Sequence, residues 1–293
     1  MQTIHPRGAT SSTDTSAGTG TVAPVAVVEL EGSARLPTLP GDFSVHYQPV
    51  LDLRDGSLHT CDAVSRWWHP VFGVLRPEPS LKGTSWVDEV RAIETWAIHE
   101  ACRQASAWLD LQPDIEVTAN ASPSRLMAPD LLPTVDAALA AADLEPWHLA
   151  VAVPLGAVAV DPLPLARTMA GLDERGVSVV LDGVGAGAAL SSVGRNSAKV
   201  WRIDVRPARG RAPLHPTSVE ALERAHQLGA VALACSVDDA ATLTQAIDVG
   251  FDLVMGRVIS PPITALAAQA MFRRGPQRRR SSMFTGSGSS SRR

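Results

Sequence analysis

The chain has 293 residues, of which 45% are hydrophobic, so it is long and apolar enough to bury one large core. Its three cysteines are far apart and show neither CxxC nor mixed Cys/His spacing, which argues against a disulfide framework and a zinc site. No apolar run reaches the roughly 20 residues that span a bilayer, and the N-terminus lacks the basic-then-apolar order of a signal peptide. The composition therefore predicts a cytoplasmic protein without a transmembrane segment.

The net charge of −4 hides an asymmetry along the chain. Residues 273–293 hold seven arginines and no acid, so the rest of the chain, with 19 basic and 30 acidic side chains, carries −11. Residues 1–40 and 269–293 have too little apolar content to offset the entropy of ordering a chain. We expect these two segments to be disordered and to flank one domain at 41–268. The basic tail would bind an acidic surface, and a merely solubilising role is the alternative.

The stretch at residues 47–70, YQPVLDLRDGSLHTCDAVSRWWHP, has the pattern of two strands joined by a tight turn. Asp55-Gly56 lies between the two apolar runs and is the strongest short hairpin signal. Asp62 and Arg66 are four residues apart on the second strand, so the even spacing places both on one face. An acid and a base on a buried face are costly unless they meet each other, a metal or a ligand, and the spacing leaves these alternatives open.

Beyond this hairpin, short β-branched runs alternate with helical patterns. Six further strands are predicted, at 115–122, 148–154, 177–183, 198–205, 230–237 and 251–259. Helices are predicted from Ser85 to about Leu111 and at 123–142, 162–175, 215–229 and 238–249. Nearly continuous apolar strands that alternate with helices are typical of a parallel sheet buried on both faces. The pattern predicts an α/β fold, a (β/α)8 TIM-type barrel, with a doubly wound open sheet as the alternative.

In such barrels the chemistry lies at the C-terminal ends of the strands. Polar side chains are few at the predicted strand ends, and they are Asp62, Asn120, Asp182, Arg202 and Asp204. Hydrolysis of a phosphodiester with divalent metals needs several hard oxygen ligands around one or two ions. The four oxygen donors in this set, one of them a neutral amide, are too few for a two-metal site.

The hairpin also carries a resemblance to a known family. It resembles the start of EAL domains, bacterial phosphodiesterases of cyclic di-GMP, in which a YQP strand precedes a strand with Glu-Ala-Leu, Arg, Trp and His-Pro. Here the signature triplet reads Asp-Ala-Val from Asp62, and the Arg, Trp and His-Pro follow in the family's order. The resemblance covers roughly residues 43–266 and implies an EAL-like barrel whose activity uses Mg²⁺ or Mn²⁺.

Several positions that the resemblance implies as metal ligands have lost their side-chain oxygens. Asn120, in an Asn-x-Ser strand end, and Asp182, the first acid of the family's Asp-Asp pair, are retained. The family's next acids are replaced by Ala152, Gly183 and Cys235. These losses fall on one cluster, so we expect the Mg²⁺ or Mn²⁺ of the family site to be lost.

Two further substitutions support this expectation. The family's strand-end lysine is Arg202 here, and an arginine does not lose its proton near neutral pH. Asp62 is one methylene shorter than the family's glutamate, and Mg²⁺ tolerates poor ligand geometry badly. No residue is therefore predicted to be catalytic.

The resemblance, with these losses, favours a degenerate EAL-like domain without hydrolytic activity. Such a domain would act as a regulator or interaction module for an unidentified protein partner in cyclic di-GMP signalling. Two alternatives stay open: a receptor that binds cyclic di-GMP without hydrolysing it, and a weak residual phosphodiesterase. The resemblance also implies a vestigial ligand pocket, in which Arg66 would pair with Asp62 or Asp182 if it met no ligand. The predicted pocket residues are Gln48, Asp62, Arg66, Asn120, Asp182, Arg202 and Pro262.

Overall fold

The computed structural model describes residues 41–71, 73–75, 87–155, 162–184, 198–206 and 213–272. The predicted disordered segment at 1–40, residues 273–293 of the predicted tail, and the proposed helix cap Ser85 lie outside these ranges. The last helix extends to Phe272, beyond the predicted domain boundary at residue 268. Its sequence, ALAAQAMF, consists mostly of strong helix formers, and Phe272 packs edge-on against Trp108 at 4.9 Å between ring centres.

The strands form a closed barrel. They are β1 (Asp42–Asp52), β2 (Leu58–His69), β3 (Gly73–Leu75), β4 (Glu116–Asn120), β5 (Leu149–Pro154), β6 (Ser178–Val184), β7 (Val200–Asp204), β8 (Val231–Cys235) and β9 (Leu253–Val254). β2 and β4 to β9 run parallel in chain order, and β1 closes the ring because it pairs antiparallel with both β2 and β9. This closure confirms the predicted barrel and excludes the open sheet. The short β3, which the sequence pattern missed, adds to β2 outside the ring.

The turn between β1 and β2 follows from its Asp-Gly sequence. Gly56 adopts a left-handed φ of 74°, and its amide donates to the Asp52 carbonyl at 2.8 Å. The Asp55 carboxylate accepts a hydrogen bond from the Ser57 amide at 2.8 Å. A glycine takes this backbone conformation without a steric cost, which is why the dipeptide predicted the hairpin.

The hairpin of β1 and β2 extends beyond the end of the neighbouring barrel strand β4. β2 pairs with β4 only as far as Ala63, whereas its pairing with β1 continues to Trp68. Residues 64–69 of β2, together with the paired part of β1 and β3, therefore form a ribbon that rises above the rim of the barrel. We call this part the rim ribbon.

The helices surround the barrel. They are α1 (Val87–Trp108), α2 (Pro123–Leu126), α3 (Leu131–Ala141), α4 (Pro162–Glu174), α5 (Pro216–Gln227), α6 (Ala240–Val249) and α7 (Ala265–Phe272). The single helix predicted at 123–142 is two helices, because Pro129 lies between α2 and α3 and a proline does not fit a helix interior. Among the described helices, none combines the length and the apolar content that crossing a bilayer requires.

The strand predicted at 251–259 is reduced to the two residues of β9. The chain turns directly after it, where Gly256 passes so close to the neighbouring strand end that a Cβ atom would lie 2.0 Å from the Val237 carbonyl oxygen. Only a glycine allows this contact, so the approach fixes where the strand ends.

Alternation along the strands divides the apolar residues into two layers. Val151 and Val153 of β5 point outward and pack in the large cluster under the helices, whereas Ala150 and Ala152 point into the barrel. Small inward residues leave room inside the barrel, and the same alternation decides which polar side chains enter it.

Candidate functional site

The inward side chains at the ends of six barrel strands form a ring. They are Asp62 on β2, Asn120 on β4, Ala152 on β5, Asp182 on β6, Arg202 on β7 and Cys235 on β8. The ring lies at the bottom of an open cavity of about 990 Å³, whose wall also includes Gln48, Arg66 and Pro262. The structure thus brings all seven predicted pocket residues around one cavity, and their role in ligand binding stays a prediction.

Arg202 is the centre of a buried hydrogen-bond network. Its guanidinium donates from Nη2 to Asp62 Oδ1 at 2.7 Å and from Nη1 to Asn120 Oδ1 at 2.9 Å. Asn120 Nδ2 donates to the same Asp62 oxygen at 3.0 Å and to the Ala63 carbonyl at 2.9 Å. The side chains of Arg202 and Asp62 are only 4% and 8% exposed, so water screens this ion pair little.

The ion-pair partner of Asp62 lies far away in the sequence. Spacing along β2 left open whether Asp62 and Arg66 meet each other, a metal or a ligand, and in the structure Asp62 pairs with Arg202, 140 residues away. Parallel strands bring their C-terminal ends together across the barrel, so Arg202 reaches Asp62 from the opposite wall. Arg66 lies four residues further along β2, on the rim ribbon, where its Nη1 donates to the Ser65 carbonyl at 3.2 Å.

Burial and charge act in opposite directions on this pair. Burial raises the pKa of Asp62, and the Arg202 guanidinium and the hydrogen bond from Asn120 limit the rise. Burial alone would lower the pKa of Arg202, but the carboxylates of Asp62 and Asp182 raise it above its ordinary value. Arg202 therefore remains a cation at physiological pH, fixed at the centre of the ring.

The ring does not fit a divalent metal. Asp62 Oδ1 and Asn120 Oδ1, two oxygens that would face a metal, both accept hydrogen bonds from Arg202, which also repels a second cation. Ala152, which pairs with Asn120 on the adjacent strand, offers only a methyl group. Nowhere in the part of the chain that the structure describes do three or more His, Cys, Asp or Glu side chains form a group that could hold a metal ion.

The remaining ring positions add little to the donor set. Asp182 Oδ1 accepts a hydrogen bond from the Gly183 amide at 2.9 Å. Burial raises the pKa of the Cys235 thiol, so this position does not present the thiolate that binds metals. The chemistry of the site is therefore that of a cavity with a fixed internal cation, without a metal-binding set of carboxylates.

The charges of the described residues around the cavity balance one another. Among these residues, four arginines and four aspartates line the cavity, and Arg202, Arg206 and Arg257 form ion pairs with aspartates of the same lining. On the rim, Arg206 Nε donates to Asp204 at 2.8 Å, and Arg257 Nη2 lies 2.8 Å from Asp238. These rim arginines are 70% and 72% exposed, so their ion pairs are weak and exchangeable, unlike that of Arg202.

Glu94 supports the ring from outside and was missed by the sequence reasoning. This buried carboxylate of α1 accepts hydrogen bonds from the Ser122 amide at 2.7 Å and from the Ser122 hydroxyl at 3.0 Å. Ser122 is the N-cap of α2 and follows Asn120 by two residues, so Glu94 fixes the end of β4. The signal available in the sequence was a charged residue within the apolar stripe of α1, next to Ile93 and Ala97.

Ser236, directly after the ring position Cys235, has a strained backbone. Its φ is 62°, and a side chain in this left-handed region costs about 1–2 kcal/mol. We expect Ser236→Gly to raise the free energy of unfolding by about 1 kcal/mol, measured by urea denaturation. Ser65→Gly, in the middle of β2, is the matched control and should lower it. Equal effects of the two substitutions would contradict a strained Ser236.

The family model of the EAL domain matches residues 36–262, which is more than half of the 293 residues. The chain belongs to the EAL domain family. This confirms the resemblance read from the hairpin.

Individual relatives agree with this assignment. The EAL domain is 30% identical over 144 residues to the bifunctional diguanylate cyclase/cyclic di-GMP phosphodiesterase MucR of Pseudomonas aeruginosa, covering 49% of this chain and 21% of MucR. Two solved structures share its fold. A PaMucR phosphodiesterase in complex with c-di-GMP has a TM-score of 0.69 at 23% identity, over 77% of this chain and 94% of that one. The EAL domain of FimX from Pseudomonas aeruginosa, bound to c-di-GMP, has a TM-score of 0.65 at 18% identity, over 75% and 90%.

The curated relatives are much longer than the matched region. The chain spans 21–29% of the length of three relatives that it matches. The two solved structures are less than 25% identical to this chain, so their similarity shows the shared fold alone.

Proposed function

We propose that this EAL domain does not hydrolyse cyclic di-GMP and acts in the bacterial cytoplasm as a non-enzymatic regulator of a protein partner in cyclic di-GMP signalling. The observation that carries the proposal is the position of the Arg202 guanidinium. It is bonded to Asp62 and Asn120, two of the three ring residues whose oxygens the family resemblance assigns to metal binding.

Charge explains why this arrangement opposes hydrolysis. Metal-assisted attack on a phosphodiester needs ions that activate water and neutralise the developing charge. Arg202 supplies one positive charge but holds no water as a ligand, and as an arginine it does not accept a proton. With Ala152, Gly183 and Cys235 at the other ligand positions, the ring carboxylates are limited to Asp62, which is held by Arg202, and Asp182, too few to recruit two ions.

A second function, a receptor for cyclic di-GMP, is favoured by a separate observation. The cavity measures about 990 Å³, and its wall includes Gln48, Arg66 and Pro262, for which the resemblance implies ligand contacts. Gln48 Nε2 donates to the Ser260 carbonyl at 3.2 Å, which ties β1 to the segment that carries Pro262. Related domains of the same fold are described in complex with c-di-GMP. A receptor and a regulator are compatible, because ligand binding would change the surface offered to a partner.

The receptor function predicts a dependence on Arg66. An arginine is suited to a phosphate oxygen, and hydrogen bonds to charged groups contribute about 1.5–3 kcal/mol. We expect Arg66→Ala to weaken cyclic di-GMP binding about 10- to 100-fold in calorimetry with EDTA present. Arg175→Ala, which removes an ion pair with Asp136 outside the cavity, is the control and should leave binding unchanged. Unchanged affinity in Arg66→Ala would mean that the ligand binds elsewhere.

A further inference from the structure

The rim ribbon continues the wall of the cavity outward. Even-numbered residues of β2 from Asp62 to Trp68 share one face, because the pairing with β1 runs without a bulge from Val50–Thr60 to Asp42–Trp68. Asp62 and Arg66 on this face line the cavity, so Trp68 is the next side chain outward on the same face. Two residues of strand place the Arg66 and Trp68 positions about 7 Å apart.

The indole of Trp68 is held over this face. Its Nε1 donates to Ser44 Oγ at 3.0 Å, and Ser44 is the residue of β1 directly opposite Arg66. The ring therefore leans from its own position toward Arg66 and the cavity mouth. Trp68 is nevertheless 48% exposed, and Val74, its partner on β3, is also 48% exposed. A half-exposed indole that is held by a hydrogen bond is a surface on which a planar ring can stack.

The size of this surface favours a small ligand over a second protein chain. A whole tryptophan buries at most about 250 Å², so the exposed parts of Trp68, Val71 and Val74, the described apolar residues here, offer on the order of 300 Å². A stable protein interface needs about 800 Å² from each partner. One planar ring covers an indole face, and the neighbouring Arg66 selects for a ligand that also carries an anionic group.

We infer that Trp68 stacks on the base of a purine nucleotide whose phosphate contacts Arg66 at the cavity mouth. This ligand has the two features in the order that the ribbon presents them, a planar aromatic ring joined through a sugar to a phosphate. Every base has a face that stacks on an aromatic side chain, and such stacking is typically lost on replacement by alanine with a 5- to 150-fold decrease in affinity. The inference rests on the receptor form of the proposed function and names the residue that binds the base.

Calorimetric titrations in EDTA test it with four probes, cyclic di-GMP, GMP, guanosine and inorganic phosphate. We expect wild-type protein to bind at least one of the two nucleotides. The comparison of cyclic di-GMP with GMP shows whether the preferred ligand is a cyclic dinucleotide or a mononucleotide. Guanosine and phosphate should each bind more weakly than that nucleotide, because each supplies half of the contacts.

Three variants examine the role of the indole. Trp68→Ala should weaken nucleotide binding about tenfold or more, whereas Trp68→Phe, which keeps an aromatic face, should stay within about threefold of wild type. Ser44→Ala leaves the indole in place but removes its tether, and should weaken binding about two- to tenfold. Trp147→Ala is the matched control, since Trp147 is 46% exposed but precedes β5 at the opposite end of the barrel.

The outcomes distinguish the stacking role of Trp68 from the receptor function and from the absence of hydrolysis. Wild-type binding that Trp68→Ala leaves unchanged would overturn the stacking role and leave the receptor function intact. Failure of wild-type protein to bind either nucleotide at millimolar concentration would overturn both. The absence of hydrolysis is measured independently and is affected by neither result.

Discussion

Replacing Arg202 with methionine will lower the free energy of unfolding by about 3–5 kcal/mol, the cost typical of breaking a buried ion pair by removing one partner. Methionine fills much of the same volume, so the decrease in the free energy of unfolding results from removing the charge and not from creating a cavity. The substitution leaves the Asp62 carboxylate buried without its counter-ion, and it removes the hydrogen bond to Asn120 Oδ1. Urea denaturation measures the effect.

The exposed rim provides the control for this experiment. Arg206→Met removes the ion pair with Asp204, whose arginine is 70% exposed, and should cost no more than about 1 kcal/mol. Asp62→Asn combined with Arg202→Met should recover part of the stability lost in the single variant, because no buried charge is then left unpaired. Equal losses for Arg202→Met and Arg206→Met would contradict a buried, structural role for Arg202.

The pH dependence of the Arg202→Met variant has a definite sign. Burial raises the pKa of Asp62, and Arg202 is the first of the groups that oppose the rise, so the substitution raises this pKa further. A carboxyl group with a raised pKa in the folded state favours folding when protonated and disfavours it as the pH rises through that pKa. The stability gap between wild type and variant should therefore be largest near neutral pH and shrink as the solution is acidified.

Sequence patterns predicted the barrel because its determinants are local or periodic. The Asp-Gly turn fixes the hairpin through Gly56, and apolar strands that alternate with helices define the parallel ring. The ring residues Asp62, Asn120, Asp182 and Arg202 were predicted as strand ends because alternation and strand length decide which side chains enter the barrel.

The contacts between these residues were beyond the sequence. Arg66 is four residues from Asp62 along β2, yet the ion pair of Asp62 is with Arg202, because closure of the barrel brings distant strand ends together. The support of Ser122 by Glu94, between residues 28 positions apart, likewise depends on how α1 packs against β4. Local spacing in the sequence predicts neither the contact of Arg202 with Asp62 nor that of Glu94 with Ser122, so both required the three-dimensional structure.

The second large effect concerns catalysis. We expect no linearisation of cyclic di-GMP in the presence of Mg²⁺ or Mn²⁺. Arg202 holds Asp62 Oδ1 and Asn120 Oδ1, and Ala152, Gly183 and Cys235 supply no side-chain oxygen, so Asp182 is the remaining carboxylate of the ring. Typical enzymatic rate enhancements exceed 10⁶-fold, so a ring that binds no metal is expected to lose the activity and not merely a fraction of it.

Chromatographic detection of the linear dinucleotide is the most direct test of this account. Wild-type protein is incubated with cyclic di-GMP and either Mg²⁺ or Mn²⁺, beside the variants Asn120→Ala and Asp182→Ala, which control for a contaminating phosphodiesterase. We expect that no linear product accumulates in any of the three preparations. Metal-dependent product from the wild type that both variants abolish would show that the ring still assembles a working metal site, and would contradict the proposal of a non-hydrolytic EAL domain.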